Sequence, residues 1–250
     1  MPYGLYIAAE GAHSQSKRME VLSNNLANVD TPGFKRDLAL FQARHAEEIS
    51  RGQDHHGSGT INDVGGGVWM NRTVTDHSQG TLKRTEVPTD MAINGDGYFV
   101  VQKDGRNLLT RAGNFLLNNA GMLTTQTGMP VLSDAGGPIL VNPDTPWRVS
   151  PDGAIEQDGG KTYLALVQPP TPADLEKRGE NLFEALAAPA ALPPELRSVQ
   201  GGYLEMSGVR PTLEMLELIE TSRAFEMNVS MIRNHDSMLS SLVNRVLRTA

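Results

Sequence analysis

Ser207-Gly208-Val209-Arg210-Pro211 opens the stretch on which the fold turns, because from Thr212 to Ala250 there is neither Gly nor Pro. Pro at a first helical turn has its φ already set and needs no donor there, so Pro211 marks a helix start. Alternating steps of three and four from Met215 reach Leu218, Ser222, Phe225, Val229, Ile232, Asp236, Leu239, Val243 and Val246. All but Ser222 and Asp236 are apolar, which is a sustained heptad seam. At 1.5 Å per residue the helix spans about 60 Å, too long to stand without a partner. A second stripe of Leu216, Ile219, Met227, Met231, Met238 and Leu242 flanks the seam. A helix zipped to one partner needs only one narrow stripe, so two imply burial on more than one side.

The partner lies at the other end of the chain. Leu5, Ala8, Ala12, Gln15, Met19, Leu22, Leu26 and Val29 repeat the same spacing, with small residues in the first half. The helix ends where Pro32 biases Thr31 away from helical backbone. Asn24, Asn25 and Asn28 crowd that end. They serve either as caps for a fraying terminus or as interchain hydrogen-bonding groups that set register.

Between the two seams the period changes. Leu38–Ile49 reads as a short helix, residues 51–67 as an exposed loop, and Val68–Thr75 as a strand. From Thr81 to Leu166 the pattern alternates. Turn signals recur at Asn94-Gly95-Asp96-Gly97, read as a hairpin turn after Ala92-Ile93, and at Lys103-Asp104-Gly105-Arg106. Further turns fall at Asn119-Ala120-Gly121, Gln126-Thr127-Gly128 and Asp152-Gly153, the spacing of an antiparallel β domain. The Pro- and Ala-rich run from Gln168 to Gln200 reads as an irregular return, with Leu182-Phe183-Glu184 docking locally.

The expected fold is mainly β with long terminal α-helices. The helices form a coiled-coil core domain, and the antiparallel β domain is inserted between them. Residues 1–35 and 203–250 make the helical core, 36–80 a connector, and 81–202 the outer β domain.

Charge agrees with this division. Residues 1–36 carry four Lys/Arg against three Asp/Glu, and 205–250 carry five against six. The ends cancel, so the middle holds the whole net charge of −7. Near-neutral ends suit packing against other copies, and an acidic middle suits a solvated surface. No basic stripe points to nucleic acid. No apolar run is long enough for a membrane span. The N-terminus lacks the pattern of a cleavable secretory signal.

Without cysteine the chain has no disulfide, thiol nucleophile or thiolate metal site. No Gly-x-Ser-x-Gly elbow or His-Glu-x-x-His helix is present, and His235-Asp236-Ser237 point in different directions on a helix. Gly65-Gly66-Gly67 lacks the Lys-Ser/Thr of a phosphate loop. His55 and His56, with Asp54, offer at most an adventitious metal contact. The expectation is therefore a non-enzyme without cofactor.

Four segments together resemble one family, the bacterial flagellar axial proteins of the rod and hook. Leu22-Ser23-Asn24-Asn25-Leu26-Ala27-Asn28-Val29-Asp30-Thr31-Pro32-Gly33-Phe34-Lys35 is similar to the family's basal-body rod signature. Asp90-Met91-Ala92-Ile93-Asn94-Gly95-Asp96-Gly97-Tyr98-Phe99-Val100-Val101 resembles its core β motif, and Leu109-Thr110-Arg111-Ala112-Gly113-Asn114-Phe115 the next strand pair. Gly202-Tyr203-Leu204-Glu205-Met206-Ser207-Gly208-Val209 and Ile219–Asn228 resemble the C-terminal signature. Two departures are Ser207-Gly208, where the family usually has Ser-Asn, and Phe225, where it usually has Tyr.

The resemblance implies export by the flagellar type III apparatus without signal cleavage. It also implies assembly in the periplasm with copies of itself and other axial proteins, into a tubular shaft that carries torque from motor to hook. Chain length and the short region before the β motif look most like the proximal rod protein, with a distal rod or hook-type subunit as the alternative within the family. A secreted adhesin-like β domain on a coiled-coil stalk is the alternative outside it. The expected subunit-interface residues are Leu22, Asn24, Asn25, Leu26, Asn28, Leu218, Ser222, Phe225, Val229, Ile232, Asp236, Leu239, Val243 and Val246.

Overall fold

The computed structural model describes residues 3–45, 49, 51–55, 57–58 and 65–248. His56 lies outside them, so the His55/His56 pair cannot be placed. Helix α1 is Tyr3–Ala27 and helix α2 is Pro211–Arg248. Between them run antiparallel strands, so the chain is mainly β with terminal helices. In order they are β1 Asp37–Ala43, β2 Val68–Thr75, β3 Leu82–Arg84, β4 Met91–Ile93, β5 Tyr98–Lys103, β6 Arg106–Thr110, β7 Leu116–Leu117, β8 Leu123–Thr124 and β9 Trp147–Val149. They continue as β10 Ala154–Gln157, β11 Gly160–Tyr163, β12 Leu166–Gln168, β13 Leu175–Gly179, β14 Leu182–Ala185, β15 Ala190–Ala191, β16 Val199–Gly201 and β17 Tyr203–Glu205.

The chain divides into two compact units. One comprises residues 1–27, 37–75 and 210–250; the other comprises 28–36 and 76–209. In the helical unit, α1 packs along both α2 and the hairpin β1–β2. The hairpin is tied to the helix where Ser14 Oγ donates to the Val68 carbonyl at 2.7 Å.

This hairpin corrects the reading of Leu38–Ile49 as a helix. Leu38 and Leu40 alternate with Ala39 and Phe41, and the strand pairs in register from Asp37↔Thr75 to Ala43↔Val68, with a bulge at Leu40/Phe41. A partner thirty residues away in sequence overrides a short apolar run that suits either structure. Residues 46–48 lie outside the described residues, and Ile49 is helical.

The β unit is built on a six-stranded sheet in the order β13-β14-β6-β5-β12-β15. Its core gathers Phe99, Phe115, Leu123, Val131, Ile139, Leu164 and Leu166, each essentially without solvent exposure. Asp104-Gly105 forms the β5–β6 turn, both residues with positive φ, and Lys103 pairs with Arg106 as the turn signal predicts. The turn at Asn94–Gly97 is not a hairpin turn. β4 pairs with β16, whereas β5 pairs with β6 and β12, so these residues carry the chain from one sheet to another.

The Pro- and Ala-rich return is also more regular than expected. β13 and β14 form a hairpin whose turn uses Gly179, Glu180 and Asn181 at positive φ. Leu182 and Phe183 dock on Thr110 and Leu109 of β6, which agrees with the local docking read from the sequence.

Phe99 meets Phe115 edge-on, with centroids 5.2 Å apart at 85°. Replacing Phe99 with Ala removes that pair and leaves a cavity, so it is expected to destabilise the β unit by about 3–5 kcal/mol. Urea unfolding of the full chain followed by near-UV circular dichroism measures the loss.

Candidate functional site

The helical unit offers the first candidate surface. α1 meets α2 antiparallel through a line that on α1 recurs every seventh residue. A Cβ built on Gly4 would lie 3.0 Å from His235 Nε2, and one on Gly11 3.0 Å from Asn228 Oδ1. Arg18 Nη2 bonds Glu217 Oε2 at 3.1 Å, and Asn25 Nδ2 reaches Glu214 Oε2 at 3.4 Å. As the α1 number rises, the α2 number falls, which fixes the antiparallel sense. Glycine at two of these positions lets the backbones approach to side-chain-tip distance.

The facing line is polar. Glu214 and Thr221 are buried, and Thr221 Oγ1 donates to the Glu217 carbonyl at 2.6 Å. Ala8, Ala12 and Leu22 of α1 are buried beside it. Asn25 uses both ends of its amide inside the subunit: Nδ2 donates to the Asp37 carbonyl at 2.8 Å, and Oδ1 accepts from the Asp37 N–H at 2.9 Å. The side chain thereby joins the end of α1 to the start of β1.

Leu218, Ser222, Phe225, Val229 and Ile232 lie half-buried along α2, and Leu26 is half-buried on α1. Asn24 is exposed, and Asn28 accepts from Thr31 Oγ1 at 3.2 Å. Asp236, Leu239 and Val243 are exposed, because Gly4 already faces His235 and α1 begins only one residue earlier. From Asp236 onward α2 therefore extends past the start of α1 by about 20 Å. Val246 belongs to this overhang by its backbone. The second stripe is bare: Leu216, Ile219, Met227, Met231, Met238 and Leu242 are each at least half exposed. These exposed apolar side chains share one side of α2, and the Met among them are adaptable in packing.

The β unit holds a second arrangement, a buried ionic cluster that the sequence reading missed. Lys35, Arg111 and Glu205 have side-chain exposures of 1%, 4% and 1%. Lys35 Nζ donates to Glu205 Oε1 at 2.6 Å and to the Ser78 carbonyl at 2.7 Å. Arg111 Nη1 reaches Glu205 Oε2 at 3.2 Å, and Nη2 donates to the Gly95 carbonyl at 2.8 Å. Gly80 N–H donates to Glu205 Oε1 at 2.9 Å. Burial pulls the Lys35 ammonium below its ordinary pKa, and the Glu205 carboxylate works against that pull.

The backbone closes around the same point. Gly33 sits at φ +67°, and a Cβ there would clash with the Arg111 carbonyl, so only glycine fits. Its N–H donates to the Glu205 carbonyl at 2.7 Å. Only Glu205 carried a local signal, since it stands between Leu204 and Met206, whereas Lys35 precedes Arg36 and Arg111 follows Thr110.

An aromatic layer covers the cluster. Arg111 lies over the Tyr98 ring at 5.0 Å, and Lys177 over the Phe34 ring at 4.6 Å. His77 Nδ1 and Tyr98 Oη are 2.8 Å apart, and both rings pack on Phe183. Burial raises the Tyr98 pKa to about 12. Burial, reinforced by the Lys35 and Lys177 charges, lowers that of His77 to about 4. Among the described residues, no group of His, Cys, Asp and Glu is placed to hold a metal ion.

Known families cover the chain in three blocks. "Flagella basal body rod protein" matches residues 5–35, "Flagellar hook protein FlgE/F/G D1 domain" residues 92–157, and "Flagellar basal body rod FlgEFG protein C-terminal" residues 200–245. Flagellar basal-body rod protein FlgG of Buchnera aphidicola subsp. Acyrthosiphon pisum is 34% identical over 255 residues, covering 95% of this chain and 97% of that one. The chain belongs to the flagellar basal-body rod protein family. FlgF of Caulobacter vibrioides is 34% identical over 250 residues and 98% of each chain. The flagellar hook protein FlgE of Treponema pallidum is 36% identical over 105 residues, 41% of this chain but 23% of that one.

The rod-family chain is thus a structural axial subunit of the flagellar basal body, in a family of rod and hook proteins that are not enzymes. Its partners are other rod and hook axial subunits. Among the described residues no helix is long and apolar enough to cross a membrane. Each matched block supplies one member of the ionic cluster: Lys35 from the first, Arg111 from the second and Glu205 from the third.

His77 gives the β unit of this rod-family subunit a pH signature. Its pKa is about 4 when folded and 6.5 ordinarily, so the folded state binds fewer protons between those values. The contribution is complete above pH 6.5 and is lost as pH falls through about 4. The melting temperature is expected to drop across that window, and His77→Gln is expected to flatten the drop in a pH series of thermal melts.

Proposed function

We propose that this chain is a subunit of the proximal segment of the rod, a tubular shaft that carries torque from the motor to the hook. The bare Met-rich face of α2 and the overhang beyond α1 carry this reading. The β unit buries its own core, whereas the helical unit leaves a long apolar stripe for other copies. In the assembled shaft, α1 and α2 form a coiled core, and Asn24, Leu26, Asp236, Leu239, Val243 and Val246 meet neighbouring subunits with the stripe. Leu22, Leu218, Ser222, Phe225, Val229 and Ile232 set the pair that presents those contacts.

Rod rather than hook is supported by coverage, since the match spans nearly all of the FlgG and FlgF relatives but a quarter or less of the hook relatives. The proximal position is supported by the length of 250 residues and the short stretch between Phe34 and the Asp90–Val101 motif. The chain reaches the periplasm through the flagellar type III export apparatus, without cleavage of a signal. A helix without its partner buries too little to offset its ordering entropy, which suits passage as an unfolded strand.

Basal bodies from a strain lacking this gene are expected to show rods that stop short in electron micrographs; rods of full length would overturn the reading. Complementation with Met227→Asp/Met231→Asp is expected to leave the rods short. The purified variant should still melt like the parent, because both side chains are exposed.

A further inference from the structure

The chain passes between its two compact units four times, after Ala27, Arg36, Thr75 and Val209. Every segment that leads to a crossing is rooted, on the β-unit side, at Glu205. Residues 28–36 are held by Lys35 on the carboxylate and by Gly33 on the Glu205 carbonyl. The segment after Thr75 is held by Gly80 N–H on the same carboxylate oxygen and by Lys35 on the Ser78 carbonyl. Asp76 N–H also donates to the Arg36 carbonyl at 2.9 Å. The last segment contains Glu205 itself and returns to the first through Gly208 N–H on the Phe34 carbonyl at 2.9 Å. Arg111 ties the cluster to β6, whose Thr110 pairs with Phe99 in the core.

Stability alone does not account for this arrangement. Two cations and a carboxylate lose their hydration here, and apolar side chains of similar volume often stabilise a buried site as well or better. What the charges supply is directional bonding: a single carboxylate fixes three separate stretches of chain at once. We infer that Glu205 is a positioning residue for force transmission, rooting all four connections so that none yields independently when the units are twisted. This deepens the rod-subunit reading and rests on it.

Hydrogen exchange of the full-length soluble chain, with and without Glu205→Gln, tests the rooting independently of assembly. Residues 28–36, 76–81 and 205–209 are expected to exchange at least about tenfold faster together, while 98–101 and 108–110 keep their protection. Loosening confined to 205–209, or unfolding of the whole β unit as one, would overturn the inference. If Glu205→Gln fails to fold, Lys35→Met, which leaves Glu205 its bonds to Arg111 and Gly80, is expected to free 28–36 while 76–81, still held through Gly80, loosens less, and parental protection of 28–36 would sink the idea.

In cells, the Glu205→Gln subunit is expected to enter rods of normal length while swimming in viscous medium falls at least about twofold, a modest loss because one bond set weakens rather than disappears. Parental swimming by such rods would show that the root carries no load. Absence of the parental chain from rods would instead refute the rod-subunit reading and leave the exchange result to judge the root.

Discussion

The contact between the Lys35 ammonium and the Glu205 carboxylate sets the terms for much of the β unit. Neither group reaches water, and the Glu205 carboxylate is the main neighbour that opposes the loss of the Lys35 charge on burial. Satisfying them requires Gly33 to come within reach of the Glu205 backbone, Gly80 to approach the carboxylate, and Arg111 to leave β6 toward Gly95. The layer of Tyr98, His77 and Phe183 then excludes solvent and raises the cost of any unpaired member. A neutral His77 belongs to the same logic, because a third neighbouring cation would oppose the pair that holds the site together.

The helical unit solves a similar problem with weaker groups. Its contact line contains Gly4, Gly11, Thr221, Asn25 and Glu214 where an apolar zipper would have leucines. Such a line contributes little transfer free energy, but a shift of either helix by one turn would break the Asn25–Glu214 and Arg18–Glu217 contacts. Pairing is thereby selective, and the larger apolar side chains remain on the outside of α2. The stripe that makes the pair look incomplete in a lone subunit is the part of the helix that its own partner never uses.

The terminal helices were legible because a 3–4 repeat over many turns averages out local ambiguity. The Asp104-Gly105 hairpin was legible because its turn chemistry is nearly obligatory. Leu38–Phe41 was not, since a four-residue apolar run suits either helix or strand until Val68–Thr75 pairs with it. Asn94–Gly97 carries a strong turn signal, yet that signal says only that the chain bends, and the partner of β4 lies about a hundred positions away in β16. The ionic cluster was hidden for the same reason: Lys35, Arg111 and Glu205 look like ordinary surface charges one at a time. Asn25 was expected either to cap the helix or to bond between subunits, and the hydrogen bonds it makes here join the end of α1 to Asp37.

The antiparallel meeting of Gly4 with His235 has a consequence for the order of events. These residues are among the most distant in the chain, so closing the helix pair carries a large loop-closure cost. A chain delivered from its N-terminus presents α1 well before α2 exists beside it, while the β unit can already collapse on local hairpins. During that interval the face of Ala8, Ala12 and Leu22 is uncovered. A product truncated before Pro211 never covers it. Cover for that face therefore waits on α2, which starts only at Pro211, long after α1 ends at Ala27.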